Sequence, residues 1–285
     1  MNTEELKHKL EKMCRNSIRL SIGGKAEHVV GGTRFGGVPD VPEDFIWPVY
    51  ETDTYDDKEI KPRPLSFIAQ FNCAEFALLD MEGLLPGTGV LSFFYEVESM
   101  KWGFDPKDEG CAKVFWFEDV SVLSPARVPD NLDEDYRFPR LRITAESESS
   151  YPNGEDFCLD PERAFDWDAY EEALIELGAE DPDNASKLLG WPDLIQGNMT
   201  MECEFISRGY YLGGGWKEVS AEDRKYAEQT SQENWRLLFQ LDTVESEEDD
   251  LELMFGDCGR LYFYIRKEDL LARRFERVWL ILQCF

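Results

Sequence analysis

Residues 65–71 read LSFIAQF and residues 235–241 read WRLLFQL, each with Gln in the sixth place. Short apolar runs of this kind, rich in aromatic and branched side chains, read as largely buried strands. A shift of 170 residues lays Leu65–Tyr95 over Trp235–Ile265 without a gap. Seven of the thirty-one positions are then identical: Gln70/Gln240, Glu75/Glu245, Asp80/Asp250, Glu82/Glu252, Gly89/Gly259, Leu91/Leu261 and Phe93/Phe263. Ordinary residue usage gives about two. The acidic matches are cheap in so acidic a chain, and the pattern says more than the number. Leu91, Phe93 and Tyr95 share one face of a strand, and their counterparts Leu261, Phe263 and Ile265 are apolar too. A strand has period two, so a slip of one residue destroys such agreement. Phe67, Ala69 and Phe71 match Leu237, Phe239 and Leu241 in the same way. Upstream, Gly37-Val38-Pro39-Asp40 is echoed by Gly190-Trp191-Pro192-Asp193, and downstream Lys113–Trp116 resembles Arg277–Leu280.

These blocks predict an α+β fold that is β-rich. An internally duplicated motif, at 34–118 and again at 187–285, forms two pseudo-symmetric halves with antiparallel or mixed sheets and peripheral helices. We expect one domain over 1–285: an N-terminal helix within 1–30, a repeat-like half 31–125, a helical insert 155–180 and a second half 185–285. Thr3 as N-cap and the stripe Leu6, Leu10 and Met13 predict a helix over 3–16. Asp160-Pro161 predicts a helix start running to Gly178, and Ser220-Ala221-Glu222-Asp223 reads as a capping box. A further helical turn is expected around Lys267–Arg274, and Cys203–Ile206 is expected to be a strand. The acidic stretches 130–135 and 245–252 read as solvated loops.

With 42% hydrophobic residues and 13% aromatics the chain has ample material for a core, which excludes a disordered protein. Its 30 Lys+Arg against 59 Asp+Glu give a net charge of −29. That field repels phosphate backbones and anionic lipid, so neither nucleic acid nor a membrane is an expected partner. A basic protein or a small ligand is compatible with it. Seven scattered cysteines without a C-x-x-C pair suit a reducing compartment, and no apolar leader or spanning run occurs, so a cytoplasmic location is expected.

The segments TRFGGVPDVPEDFIWP (33–48), PLSFIAQFN (64–72), LPGTGVLSFFY (85–95), LLGWPDLIQ (188–196), WRLLFQLD (235–242) and GDCGRLYFYI (256–265) resemble the YwqG-like family of bacterial proteins. The resemblance covers about Thr33 to Cys284. It implies a compact α+β molecule with an internal duplication, and a domain whose function is not assigned. Some relatives stand in toxin-defence neighbourhoods, which implies an immunity or binding role as one alternative.

No catalytic constellation is visible. There is no H-E-x-x-H, no Cys/His cluster, no EF-hand and no G-x-S-x-G, so neither a metal nor a cofactor is expected. The glycine-rich stretch 31–37 lacks the Lys-Ser/Thr of a phosphate loop. His8 and His28 are the only histidines, and both read as solvated. Gln70 and Gln240 end apolar strands on the pleat of Ile68 and Leu238, where a buried amide either ties down backbone or reads a ligand. Asp40 and Asp193 read as caps of the Gly-x-Pro turns. Trp47, Trp191 and Trp216 stand beside Gly or Pro in loops, with Arg34, Gln196 and the run Gly213–Gly215 as polar or close-approach positions. Such loop aromatics either build a recognition surface or plug a sheet core. The candidate ligand-binding residues are therefore Arg34, Trp47, Gln70, Trp191, Gln196, Trp216 and Gln240. The expected function is non-enzymatic binding of a ligand or protein. A toxin-neutralising protein and a hydrolase using carboxylates are the alternatives.

Overall fold

Two polar stretches without any apolar run form the middle of the fold. In the computed structural model, which describes residues 3–157, 166–179, 185–246, 248 and 251–285, strand β1 (Arg15–Lys25) pairs antiparallel with β6 (Leu141–Ser150). Only alternate residues are apolar. Ile18, Leu20, Ile22, Leu141, Ile143 and Ala145 turn to the core, while Arg19 lies opposite Glu146 on the outer face. The N-terminal helix thus ends at Met13 and the chain continues as a strand through Lys25, rather than as the expected helix over 3–16.

Eight further strands extend this pair on both sides: β2 (Arg34–Phe35), β3 (Ser66–Asn72), β4 (Val90–Tyr95), β5 (Ala112–Phe117), β7 (Lys187–Leu189), β8 (Trp235–Leu241), β9 (Arg260–Arg266) and β10 (Trp279–Gln283). All ladders are antiparallel, in the order β10-β9-β8-β7-β1-β6-β2-β3-β4-β5. Outward from the middle, each half runs through a short strand, a strand carrying Gln, a second apolar strand and an edge.

Both Gln strands carry a bulge in the same place, between Phe67 and Ala69 and between Leu237 and Phe239. An extra residue shifts the alternation beyond it. Ile68, Ala69 and Phe71 all join the inner core, as do Leu238, Phe239 and Leu241, whereas Phe67 and Leu237 pack outside. Gln70 and Gln240 therefore face away from Ile68 and Leu238, not along with them as simple period two predicts.

Phe93 of β4 lies 4.9 Å, centroid to centroid, from Phe239 of β8 and 5.2 Å from Phe263 of β9. Strands β4 and β8 are six ladder steps apart, which is about 29 Å in a flat sheet. The sheet must curl until its two halves face each other, making a near-barrel with one shared core. The open rims are covered reciprocally. The Leu282 N–H of edge strand β10 donates to Trp102 O at 3.0 Å, and Trp279 Nε1 donates to Gly103 O at 3.0 Å. At the other rim Phe275 packs on Trp116 of β5. Only glycine serves at 103, where φ is +78° and an added Cβ would stand 1.9 Å from Leu280 O. Covered edges leave few backbone groups open to pairing with another chain.

Seven helices lie among the described residues: α1 (Thr3–Met13), α2 (Cys73–Phe76), α3 (Gly154–Phe157), α4 (Trp167–Glu176), α5 (Met199–Ile206), α6 (Ala221–Asn234) and α7 (Lys267–Leu271). The expected cap Asp160-Pro161 lies outside the described residues, and the described helix is capped by Asp166, whose carboxylate accepts from Ala169 N–H. The run Cys203–Ile206 is helical rather than extended, because Asn198 accepts the Met201 N–H at 3.0 Å and starts α5. Ser220 caps α6 as expected, accepting from Asp223 N–H. Residues 130–135 form a largely exposed loop. Val244–Ser246 and Leu251–Leu253 pair as a small hairpin instead of a loop, while 247, 249 and 250 lie outside the described residues. Met199 and Cys203 of α5 cover the outer face of β8 and β9, and Phe45 and Trp47 cover that of β3 and β4. Helix α1 packs through Leu6 and Leu10 on Tyr170 and Ala173 of α4, with Lys7 2.9 Å from Glu176. No described helix is long and apolar enough to cross a membrane, and Cys14, Cys73, Cys111, Cys203, Cys258 and Cys284 are free thiols.

The shared core makes one prediction. Phe93→Ala removes the ring that touches β8 and β9 of the opposite half. It should cost about 3–5 kcal/mol in urea unfolding, whereas Ile46→Ala, 85% exposed, should cost under about 0.5 kcal/mol.

Candidate functional site

The register places a cation, a Gln and a third side chain in a row across the outer face of each half. In the first, Arg34 lies opposite Gln70 and Gln70 opposite Ser92; in the second, Lys187 lies opposite Gln240 and Gln240 opposite Tyr262. The Gly-x-Pro-Asp loop folds over each row and delivers an aspartate to it. Asp40 pairs with Arg34 at 2.9 Å, its N–H donates to Gln70 Oε1 at 3.0 Å, and Gln70 Nε2 returns to Asp40 Oδ2 at 3.0 Å and to Gly32 O at 2.9 Å. Asp193 pairs with Lys187 at 2.7 Å, its N–H donates to Gln240 Oε1 at 2.9 Å, and Gln240 Nε2 returns to Asp193 Oδ2 at 2.9 Å and to Ala185 O. The turn before the aspartate has the same backbone in each: Gly36 and Gly37 at φ +58° and +73°, Leu189 and Gly190 at +60° and +75°.

The two clasps differ in what lies over them. The Asp40 side chain is 0% exposed, closed by His28 Nε2 at 3.0 Å and the Gly31 N–H at 2.8 Å. Burial by itself would raise the Asp40 carboxyl, but Arg34, His28 and the Gly31 amide outweigh it and hold it below the ordinary carboxylate range. The Asp193 side chain is 27% exposed and stands in the wall of a cleft of about 570 Å³. Arg19, Glu148, Lys187, Asp193 and Arg260 are among its lining residues, together with Leu174, Leu177, Pro192 and Leu194. The volume lies within the range of small-molecule sites.

Arg19 and Lys187 are directly opposed across β1 and β7, an arrangement in which like charges repel. Asp193 relieves it, with Arg19 Nη1 at 3.4 Å and Lys187 Nζ at 2.7 Å from the same oxygen. Arg260 Nη1 and the Tyr262 hydroxyl donate to Asp193 O at 3.1 and 2.7 Å, fixing the loop. Burial lowers the Lys187 ammonium, against the pull of Asp193, while Lys187 and Arg19 overcome burial to hold the Asp193 carboxyl low. Across the fork of Arg19 lies Glu148, with Nε–Oε2 at 3.1 Å and Nη2–Oε1 at 2.8 Å. Helix α4, held by α1, supplies Leu174 and places Leu177 in the cleft lining.

The seven residues expected to bind are dispersed, and none lines this cleft. Arg34 and Gln70 lie in the sealed clasp; Gln240 is buried and touches the cleft only through Asp193. Trp47 Nε1 donates to Leu65 O at 2.9 Å, its ring against Phe94. Trp191 is buried, donates to Met13 O at 2.8 Å and lies under the Arg15 guanidinium. Gln196 Nε2 donates to Cys284 O at 2.9 Å, and Trp216 packs on Phe205. His28, expected to be solvated, is exposed and at the same time covers Asp40, and His8 is exposed beside Glu11. Asp40 and Asp193 do more than cap turns: each neutralises a cation of the row. Sequence reading overlooked Arg19, Glu148, Lys187 and Arg260. One signal was present, since Arg34 and Lys187 each stand six residues before the aspartate of Gly-x-Pro-Asp.

Behind the cleft wall formed by Pro152 and Asn153 lie further acids. Asp156 is 1% exposed; its Oδ1 accepts from Asn198 Nδ2 at 2.5 Å, and its Oδ2 has no hydrogen-bond partner among the described residues. Burial pushes its carboxyl up to about 7, with Arg15 opposing and Glu155 adding. Burial and Glu155 push Glu202 to about 7 as well, and among the described residues its Oε2 has no hydrogen-bond partner either. Among the described residues no group of His, Cys, Asp and Glu is placed to hold a metal ion.

Fold and site together define a mostly β protein, a near-barrel with a charged cleft set in its outer wall. The chain belongs to the family described as Domain of unknown function (DUF1963), which matches residues 33–284. The match spans both clasps, while β1, which supplies Arg19, lies before it. No curated protein matches the chain.

Two outcomes test this geometry. Asp40→Asn leaves the fully buried Arg34 without a counter-charge, and Asp193→Asn takes the 2.7 Å partner from Lys187, whose side chain is equally buried at 2% exposed; each should cost about 3–5 kcal/mol in urea unfolding. The second concerns pH. A carboxyl near 7 in the fold and near 4 in the unfolded chain binds more protons when folded between those values, so its contribution is complete below pH 4 and is lost as pH rises to about 7. Thermal unfolding of Asp156→Asn should show a shallower loss of stability from pH 4 to 7, and at pH 8 a gain of about 1–3 kcal/mol over the parent.

Proposed function

We propose that this is a YwqG-like, non-enzymatic binding protein that takes a small ligand in the cleft at Asp193, and that its halves are two copies of one motif. The observation that carries the binding reading is the contrast between the clasps. A Gln and a strand cation bond Asp40 and Asp193 alike, so the scaffold needs no opening at either; one is sealed by His28, and the other borders a cleft of about 570 Å³ that three cations line. Duplication is supported by the matching order of strands, the matching bulges and the matching turns. Acid–base hydrolysis uses paired acids whose environments push them apart. Here Asp156 and Glu202 both move upward and neither lines the cleft, while Asp193 is held charged by Lys187 and Arg19.

Crystals soaked in a library of small polar fragments test the reading. Fragments should collect against Arg19 and Lys187, and the Lys187→Met variant should leave that position vacant while keeping any other fragment sites. Fragments gathering elsewhere, or nowhere, would end it.

A further inference from the structure

We infer that a second pocket, on the first half of the molecule, takes a guanidinium group on an alkyl stem, with Glu96 as its counter-ion. It shares no lining residue with the cleft at Asp193. The way this protein treats its buried acids points there. Asp40, Glu204 and Asp269 are all buried, and each meets arginine: Arg34 at 2.9 Å, Arg208 and Arg266 at 3.1 and 3.2 Å, Arg274 and Arg277 at 2.6 and 3.6 Å. A carboxylate out of water needs such company. Asp80, Glu96 and Asp156 are buried too, and among the described residues no cation pairs with any of them. Of these three, Glu96, 1% exposed and just beyond β4, stands in the wall of a pocket of about 390 Å³. Its hydrogen bonds come from the Ser99 N–H, at 3.0 Å, and the Ser99 hydroxyl. Both fall on Oε2, and among the described residues Oε1 has no donor. Burial raises the Glu96 carboxyl, with Ser99 opposing and Glu98 adding.

The cations around the pocket are bound to other groups. Arg63 gives Nη1 to Glu98 at 2.7 Å, Nη2 to Asp57 at 2.9 Å and Nε to Thr52 O at 3.1 Å. Lys61 goes to Asp57 at 2.6 Å, Lys101 to Asp53 at 3.6 Å, and Arg137 to Leu132 O at 3.0 Å. Tyr136 lines the pocket, half-buried, and after burial itself it is Glu98, Asp133 and Glu96 that raise its hydroxyl. An aromatic ring beside carboxylates suits a cation. Guanidinium is planar and less strongly hydrated than ammonium, so it gives up water more readily to reach a buried acid, as arginine does at Asp40, Glu204 and Asp269. Leu132, Pro62 and Pro64 offer apolar surface to its stem.

Calorimetric titration of the full chain with butylguanidinium, butylammonium, neutral butylurea and calcium tests the inference. The parent should bind butylguanidinium more tightly than any of the other three. Glu96→Gln keeps the shape of the side chain and removes its charge, and it should weaken that binding at least about tenfold. Glu228→Gln, at an exposed acid of α6, should leave it unchanged, which separates the pocket from the general negative field. Tyr136→Leu should weaken it about threefold. An unchanged thermal midpoint shows that Glu96→Gln is folded; if it is not, butylguanidinium against butylurea on the parent carries the test. Equal binding of butylurea, or unchanged binding in Glu96→Gln, would overturn the site, and tighter binding of butylammonium or calcium would overturn the guanidinium. A Gly-Arg-Gly peptide with blocked ends distinguishes the source. Tighter binding than butylguanidinium, lost in Glu96→Gln, supports an arginine side chain of a protein, and weaker binding supports a free small cation.

Discussion

The contact of Phe71 and Phe93 from one half with Phe239 and Phe263 from the other is the constraint on which the rest of this structure depends. Each half presents an apolar inner face too large to leave in water, and a flat ten-stranded sheet would keep those faces apart. Curling brings them together as one core, since edge-to-face aromatic packing adds to the simple burial of area. Curling in turn fixes where everything else can go. The rims come close enough for each to be covered by a connection from the opposite half, and the polar rows, the loops and the helices are left to the outside.

On that outer face both halves meet the same difficulty. The chain crosses the strands just after a turn at positive φ, and it brings a carboxylate to a surface that already holds a cation and a Gln. Burying any of these alone is expensive, and burying them together is tolerable only when every partner is satisfied. The Asp–cation–Gln clasp is the common solution. It explains why the two Gln side chains, which look like readers of a ligand, are fully occupied with the scaffold. A carboxylate so enclosed can be closed over, as with Asp40, or left at the edge of a cleft, as with Asp193. Helix α4 stands beside the second clasp because α1 holds it there, so the terminal helix shapes the cleft without reaching it.

The strands around LSFIAQF, VLSFFY, WRLLFQL and LYFYI are legible in the sequence because both of their faces are buried and their apolar content is high. Strands β1 and β6 escape the same reading. They are the centre of the sheet, yet only alternate residues meet the core, and their outer face carries Arg19, Glu146 and Glu148. The bulges at Ile68 and Leu238 also leave no mark in composition, and they reverse the face of every residue beyond them. The apolar run CEFI at 203–206 reads as a strand, and the hydrogen bond that Asn198 accepts from the Met201 N–H decides for a helix instead.

By itself the sequence determined the apolar strands, the Gly-x-Pro-Asp turns, and the Gln that meets each aspartate. Those features are local, or repeat at fixed spacing, and local chemistry is what a linear reading can weigh. Only the tertiary structure decided which clasp would be sealed and which would border a cleft. The closing and opening groups, His28 over Asp40, and Arg19, Glu148, Arg260 and α4 around Asp193, come from segments distant in the chain. Their meeting depends on the curl of the sheet, and the curl is set by packing between faces rather than by any one stretch of residues.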